Sequence, residues 1–349
     1  MVDVRNLMKD AESLNASELK LVADKIMKLL HSSDCEPSCV SENISKCRNC
    51  GTEGSVIKFG KDKNGKQRYK CKCCDATFTA TSYSVISQSH CSTDVWVEYI
   101  KLLLMGTTLA KSAEICGISI QTAFVWRHKI LSVLQKDQDN RVMNGIIEAD
   151  DMFFPISFKG NHKKSKKFTM PRKAYKRGSD NTGVPSEKVC VMCALERKGN
   201  IYGSVIGMGA ASPAMLERAF NDRILDDSIV VTDKAPGLKK YFESRLVEHI
   251  QTAARINPRS PLSPPEIKGV YHTQNVNNLH HRFRRFIHDY NGISTKYLNH
   301  YLSLYIWIEN HKNITNIKLD DELFNYATRQ NTYIPKSKVF DLPPIPVVA

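Results

Sequence analysis

The sequence predicts a multidomain α/β protein: a small cysteine-rich module, a pair of helices joined by a tight turn, then a mixed β-sheet flanked by helices. Three observations carry this. Seven of the eleven cysteines crowd between Cys35 and Cys74. The helical periodicity of 109–130 is interrupted once, at Gly117. From Gly145 onward, short apolar runs and amphipathic segments follow one another in the order β-β-β-α-β-α-β-α. With 349 residues, the chain is long enough for two or three domains and a sizeable core.

A quarter of the residues are charged and 42% are hydrophobic, a globular balance, yet the net charge is +14. That excess points to a polyanionic partner. A membrane surface would also attract it, but no apolar run approaches the roughly 18–20 residues of a bilayer span. The opening residues lack the basic-then-apolar layout of a secretory signal. A cytoplasmic, nucleoid-associated location is therefore expected, and eleven cysteines in that compartment point to metal ligands or buried thiols before disulfides.

Residues 1–34 carry an amphipathic helix, with Leu19, Leu21, Val22, Ile26, Leu29 and Leu30 at helical spacing. The cysteine module occupies 44–80. Cys47 and Cys50 form one Cys-x₂-Cys hook and Cys71 and Cys74 a second, twenty residues apart. Two such hooks present four soft ligands, which suits tetrahedral zinc. Cys73 is an alternative to Cys74 as the fourth ligand, and Cys35-x₃-Cys39 is a weaker competitor. Two short strands, 55–59 and 67–71, join the hooks. Lys58, Lys61, Lys63, Lys66, Arg68, Lys70 and Lys72 make this ribbon basic, as expected of one that rests on phosphates.

Residues 92–136 read as a helix-turn-helix. Ala113 allows a close approach of two helices, Gly117 lies in the turn, Ser119 is placed as an N-cap, and Ala123, Trp126 and Ile130 stripe the second helix. In that motif the second helix leads with its N-terminal residues. Gln121 and Thr122 are then the base-edge candidates and Arg127 and Lys129 the phosphate contacts; an ordinary helical hairpin is the alternative.

The sheet and its helices span 143–315. The stretch GIIEADDMFF forms a strand on which Glu148 and Asp150 share one face and Asp151 takes the other. After it, residues 159–177 hold nine Lys or Arg and no acid; Lys163, Lys164, Lys166 and Lys167 are candidates to grip DNA. A hairpin follows, 188–195 and 201–207. Cys190 and Cys193 lie three apart on its first strand, hence on opposite faces, and do not make a metal hook. The strand 227–232 ends at Asp233. If it neighbours the first strand, at about 4.8 Å, Asp150 and Asp233 can share a metal ion. Beyond Asn275 a helix carries Leu279, Phe283, Phe286 and Ile287 on one stripe, with Asn277 and Arg284 seven apart and nearly on one face. Residues 316–349 form a C-terminal tail, extended from Pro335 on.

These motifs together, CRNC…CKCC, GISIQTAFVWR, EADDMFF…FKG, KVCVMCALERKGN, VVTDKAPGLKKY and NVNNLHHRFRRFI, resemble those of bacterial insertion-sequence transposases that carry an N-terminal zinc ribbon and a DDE-type, RNase H-like catalytic domain. More narrowly, the chain resembles the branch in which Asn replaces the third acid. The resemblance runs from about Cys47 to about Tyr305. It implies Asp150, Asp233 and Asn277 as ligands of catalytic Mg²⁺ or Mn²⁺. It places Arg284 where the family usually has Lys, and His280 at a position typical of the branch. Asp151 and Met152 stand where Glu and Thr are usual. The implied activity is metal-dependent strand cleavage and strand transfer at the element's terminal inverted repeats, with target DNA as second substrate and a homodimer as the assembly. The alternative is a transposase-derived DNA-binding protein without catalysis.

Overall fold

The computed structural model describes residues 44–160 and 188–343, apart from Asn64, Lys198, Ala254, Pro258, Pro261, 313–315, Asn331 and Tyr333. The helix expected in 1–34, the Cys35 and Cys39 pair, and Lys163, Lys164, Lys166 and Lys167 lie outside the described residues. The chain forms two compact units. One takes the residues up to Glu98 together with Glu322–Tyr333; the other takes Tyr99–Asp321 with the segment from Ile334. No helix among the described residues is long and apolar enough to cross a membrane.

The first unit contains a three-stranded antiparallel sheet of β1 (Val56–Lys61), β2 (Gln67–Cys71) and β3 (Thr77–Thr79). The first two follow the expected strands. The third has no alternation long enough to announce it, and forms because Arg68 and Lys70 pair with Thr79 and Thr77. Gly65 turns the hairpin at a φ of 79°, where a side chain would be strained. Under the sheet the buried residues are few: Cys47, Cys71 and Phe78, with Tyr69 stacked on Phe78. A core this small does not hold three strands together by apolar burial alone.

In the second unit, α1 (Thr93–Leu104), which begins before the division, leads to α2 (Leu109–Ile115) and α3 (Ile120–Asp139). Ser119 caps α3 as expected, its hydroxyl accepting from Thr122 N at 3.0 Å. Gly117 makes the turn at φ 63°, and Ala113, Ala123, Trp126 and Ile130 are all buried. The helix is buried far beyond that stripe. Phe124 packs on Tyr297, and His128 Nδ1 lies 2.8 Å from His300 Nδ1. Arg127, expected on phosphate, is 2% exposed. Its guanidinium donates to the Thr107 carbonyl at 2.7 Å and lies over the Tyr290 ring, so it is an internal tie and not a DNA contact. A hydropathy pattern cannot reveal this, because a buried Arg and a solvated one look alike until its partners are known.

The larger sheet has the strand order β6-β5-β4-β7-β8: β4 (Ile146–Pro155), β5 (Lys188–Glu196), β6 (Ile201–Met208), β7 (Ile229–Thr232) and β8 (Glu248–Gln251). The first three are antiparallel neighbours; β7 and β8 add parallel to β4. Parallel addition needs crossovers. These are α4 (Pro213–Phe220), capped by Ser212, and α5 (Pro236–Phe242). Helices α6 (Gln274–Asp289) and α7 (Leu298–Asn310) contribute the core of the opposite face. Two cores result, and β5 alternates between them: Cys190, Met192 and Ala194 face α4 and α5, while Val189, Val191 and Cys193 face α6 and α7. The two cysteines are therefore on opposite faces, as the spacing requires.

The C-terminal segment is helical in two places, the second of them within the stretch from Pro335 that was expected to be extended. It forms α8 (Asn316–Arg329), burying Leu323, Phe324 and Ala327, and α9 (Lys336–Phe340), burying Val339 and stacking Phe340 on Phe124. Pro335 and the prolines after it suggested extension for the stretch that holds α9; α8 lies ahead of them, and its Leu323 and Ala327 share one face at i, i+4 spacing.

Arg127→Ala should lower the unfolding free energy by about 2–4 kcal/mol in a denaturant titration, because it orphans a buried carbonyl and opens a cavity. Gln121→Ala, on the exposed start of the same helix, should change it by no more than about 0.5 kcal/mol.

Candidate active site and metal centre

Two clusters of ligating side chains stand out, one in each unit. In the first unit the sulfurs of Cys47, Cys50, Cys71 and Cys74 lie within 4.8 Å of one another. Cys47 to Cys74 and Cys50 to Cys71 are each 3.7 Å apart. A tetrahedral ion with metal–sulfur bonds of about 2.3 Å needs sulfurs about 3.75 Å apart, so the set can hold a metal such as zinc. The backbone supports it: amides of Asn49 and Cys50 point at Cys47 Sγ, and that of Cys73 at Cys71 Sγ. Thr52 and Ser55 hydroxyls stand 3.2 Å from Cys50 and Cys71 and favour their thiolates. The Thr52 hydroxyl, above all, holds Cys50 down at about 6, whereas burial pushes Cys47 up to about 11. Cys74 closes the cluster. Cys73 is exposed and outside it, which favours Cys74 as the fourth ligand.

The second cluster is built on β4. Residues alternate across this strand, so Glu148 and Asp150 face α6 while Asp151 faces the α4 and α5 side, where its Oδ2 is 3.9 Å from Cys190 Sγ. Parallel pairing matches Ala149 with Thr232, so the next residue on each strand brings Asp150 beside Asp233. Asp233 Oδ1 accepts from Ala235 N at 2.9 Å, which fixes it at the start of α5. Burial, then the neighbouring Asp233 and Asp151 carboxylates, hold the Asp150 carboxyl well above the ordinary carboxylate range; Arg284 opposes this. Burial, then Asp233, raises Asp151 to about 6. Such a concentration of negative charge and hard oxygen donors is poised for a cation.

Helix α6 brings the remaining groups. His280 Nδ1 is 3.6 Å from Asp150 Oδ2. Burial holds His280 down at about 3, so it is neutral and the contact is dipolar. Asn277 and Arg284 lie one turn to either side of His280, on the helix edge nearest Asp150 and exposed. Asn277 Nδ2 donates to Thr273 Oγ1 at 3.5 Å, which leaves Oδ1 as an acceptor. Among the described residues, no third His, Cys, Asp or Glu closes on the Asp150 and Asp233 pair as tightly as the four cysteines close on one another. The expected DNA-facing residues are elsewhere. Gln121 is exposed; Thr122 is half-buried with its hydroxyl 2.8 Å from Ser119 Oγ; Lys129 is half-buried, and burial lowers its ammonium.

Two residues to which the sequence assigns no role shape this site. Gly237 has no room for a Cβ, which would meet the Ala211 carbonyl, so α5 packs directly on the segment beside Asp151. Glu148 is wholly buried and bonded to the first turn of α6. The glycine could have been suspected from its place one turn after Asp233; the glutamate's partners, 49 residues away at Arg197 and 127 at Asn275, leave no local trace.

Elemental analysis should find about one zinc per chain, with Cys74→Ser losing the metal and Cys73→Ser retaining it. Chelation should unfold the three-stranded sheet, which amide exchange confined to 44–80 would register.

Residues 142–310 match a family model described as an ISXO2-like transposase domain. Among solved structures, the crystal structure of a pre-cleavage Mos1 transpososome is similar at 13% identity and a TM-score of 0.20, covering 68% of this chain and 79% of that one; a likeness so slight bears on neither fold nor site. No curated protein sequence matches the chain. The matched span takes in all five strands of the larger sheet together with α6 and α7, and hence Asp150, Asp233, Asn277 and Arg284. The match, which takes in a little under half of the chain, supports an insertion-sequence transposase with its ISXO2-like transposase domain at residues 142–310.

Proposed function

We propose that this chain binds DNA and catalyses metal-dependent strand cleavage and strand transfer at the ends of an insertion sequence. One observation carries the reading: the parallel register of β4 and β7 sets Asp150 and Asp233 side by side, with Asp150 buried among like charges that call for a cation. The sheet order, three antiparallel strands followed by two parallel ones on the other side of β4, supports an RNase H-like catalytic domain. The turn at Gly117 and the cap at Ser119 support a helix-turn-helix that presents Gln121 and Thr122 to base edges.

In this reading Asp150, Asp233 and the Asn277 amide oxygen hold Mg²⁺ or Mn²⁺. When bound, the divalent ions activate the attacking oxygen and stabilise the leaving one in an in-line displacement. The chain's own groups do the rest. Arg284 grips a phosphate near the scissile bond, keeping the charge of the usual Lys with a wider, planar fork. His280, neutral and buried, backs Asp150 without competing for cations or adding positive charge. Lys163, Lys164, Lys166 and Lys167 hold the phosphate backbone of the element's terminal repeats or of the target. An Asn in place of a third acid leaves less negative charge at the site, so metal binding is weaker than with three carboxylates. Two ends must be held together for transfer, which favours a homodimer acting on nucleoid DNA.

The test is a cleavage and strand-transfer assay with the full-length chain, cloned element ends and Mg²⁺. Asp150→Asn and Asp233→Asn should each lower cleavage by about 10³-fold or more, the loss expected of several kcal/mol of metal-mediated stabilisation. DNA affinity should hold or rise slightly, since each change removes a negative charge. Full activity in either variant overturns the assignment. Tight, specific DNA binding with no cleavage in the wild-type chain would leave a DNA-binding protein derived from a transposase.

A further inference from the structure

We propose that Glu148 is a positioning residue: a buried carboxylate on β4 that caps α6 from outside the helix and so fixes the distance between Asp150 and Asn277. The inference rests on the proposed catalytic reading for its consequence, but the contact itself belongs to the fold.

Glu148 is 0% exposed. Five N–H groups converge on it. Asn275 N and Val276 N donate to Oε2 at 2.9 and 3.2 Å, Asn275 Nδ2 donates to Oε1 at 2.7 Å, and Arg197 Nε and Nη2 approach Oε1 at 3.3 Å. His272 Nδ1 is 3.5 Å from the same oxygen. The first-turn amides of a helix have no partners inside the helix and are ordinarily satisfied by the N-cap side chain. In α6 the N-cap residue is Thr273, which makes no capping bond; its hydroxyl receives Asn277 Nδ2 instead. Glu148 therefore does the work of a cap, reaching from a strand 127 residues earlier in the chain. Its negative charge also complements the positive end of the helix dipole.

The placement gives the contact its meaning. Glu148 and Asp150 are two apart on β4 and share the face toward α6. Asn275 and Val276 immediately precede Asn277 on α6. One carboxylate thus joins the backbone that carries the first acid to the backbone that carries the amide, with a single residue of slack on each side. Arg197, from the turn after β5, balances the charge and braces the strand end. A solvated or merely tolerated acid would not be enclosed by five donors from two elements. Glu148 does not reach the reacting atoms, so its effect passes through Asn277 and Asp150.

Glu148→Gln keeps the shape but turns an amide N–H₂ toward donors. In the full-length, metal-free protein, hydrogen exchange at Asn275 and Val276 should accelerate at least about tenfold, and in the cleavage assay the Mg²⁺ concentration for half-maximal rate should rise about 10–100-fold, as when an outer partner of a metal ligand is lost. The rate at saturating Mg²⁺ and the affinity for DNA should stay within about threefold, a split that general damage to the fold would not give. Asn275→Ala, an exposed change that removes one of the five bonds, should shift both readouts the same way by less, and it decides the matter if Glu148→Gln does not fold. Unchanged exchange in both variants, or faster exchange with an unchanged Mg²⁺ midpoint, overturns the proposal. Should the wild-type chain fail to cleave with any divalent ion, the catalytic reading falls, and calorimetric Mn²⁺ affinity of the wild-type and Glu148→Gln proteins decides the positioning role in place of the rate.

Discussion

Strand β4 must keep three carboxylates inside a sheet that is packed on both faces. Burial alone would expel them or protonate them. Each is held differently, and the larger unit is arranged around the differences. Glu148 is surrounded by donors and behaves as a structural anion. Asp151 lies on the opposite face against Cys190 and the segment of Ala211. Asp150 is given too little positive charge for its depth, with a neutral His280 beside it and Arg284 only partly offsetting its burial. Strand alternation is what permits this: residues 148 and 150 share a face and 151 does not, so the anchored anion and the under-compensated one sit beside the same helix.

The arrangement explains why α6 is so polar a helix for its degree of burial. Val276, Leu279 and Phe283 fill the core. One flanking edge, with Asn277 and Arg284, borders Asp150. The other, with Asn275, Asn278 and Arg282, lines an open cavity of about 730 Å³ whose walls include Arg141, Arg197 and Lys312. Its apolar stripe binds the helix to the sheet, but a stripe permits sliding by a turn, and Leu, Phe and Val do not specify register to a fraction of an ångström. A directional contact at the N-terminus does.

Much of this was legible from the residues. The hairpin at Gly199, the caps at Ser119 and Ser212, the strand leading to Asp233 and the helix after Asn275 all announce themselves by local pattern, and the cysteine spacing alone implies a closed tetrahedral set. What the pattern could not supply is pairing between distant segments. β3 is three residues long and exists through its partner β2. Arg127 looks like any surface cation on a helix until Thr107, Tyr290 and Tyr301 are found around it. Glu148 reads as one more acid in an acidic strand end. The last helix, α9, was masked by the prolines around it. In each case the missing information is non-local, which is where single-sequence reasoning has least purchase.

The burial of α3 has a mechanical corollary. Through Arg127, His128 and Phe124 this helix is fastened to Tyr301, His300 and Tyr297, in and just before α7, and α7 packs against the sheet that bears the acids. Gln121, at its exposed tip, and Asp150 are therefore joined through continuous side-chain packing. On the proposed function, this packing would set the span of duplex between bases met at Gln121 and the linkage presented to Asp150, as calipers do, and a base pair inserted or deleted within that span would shift the presented phosphate by one helical step.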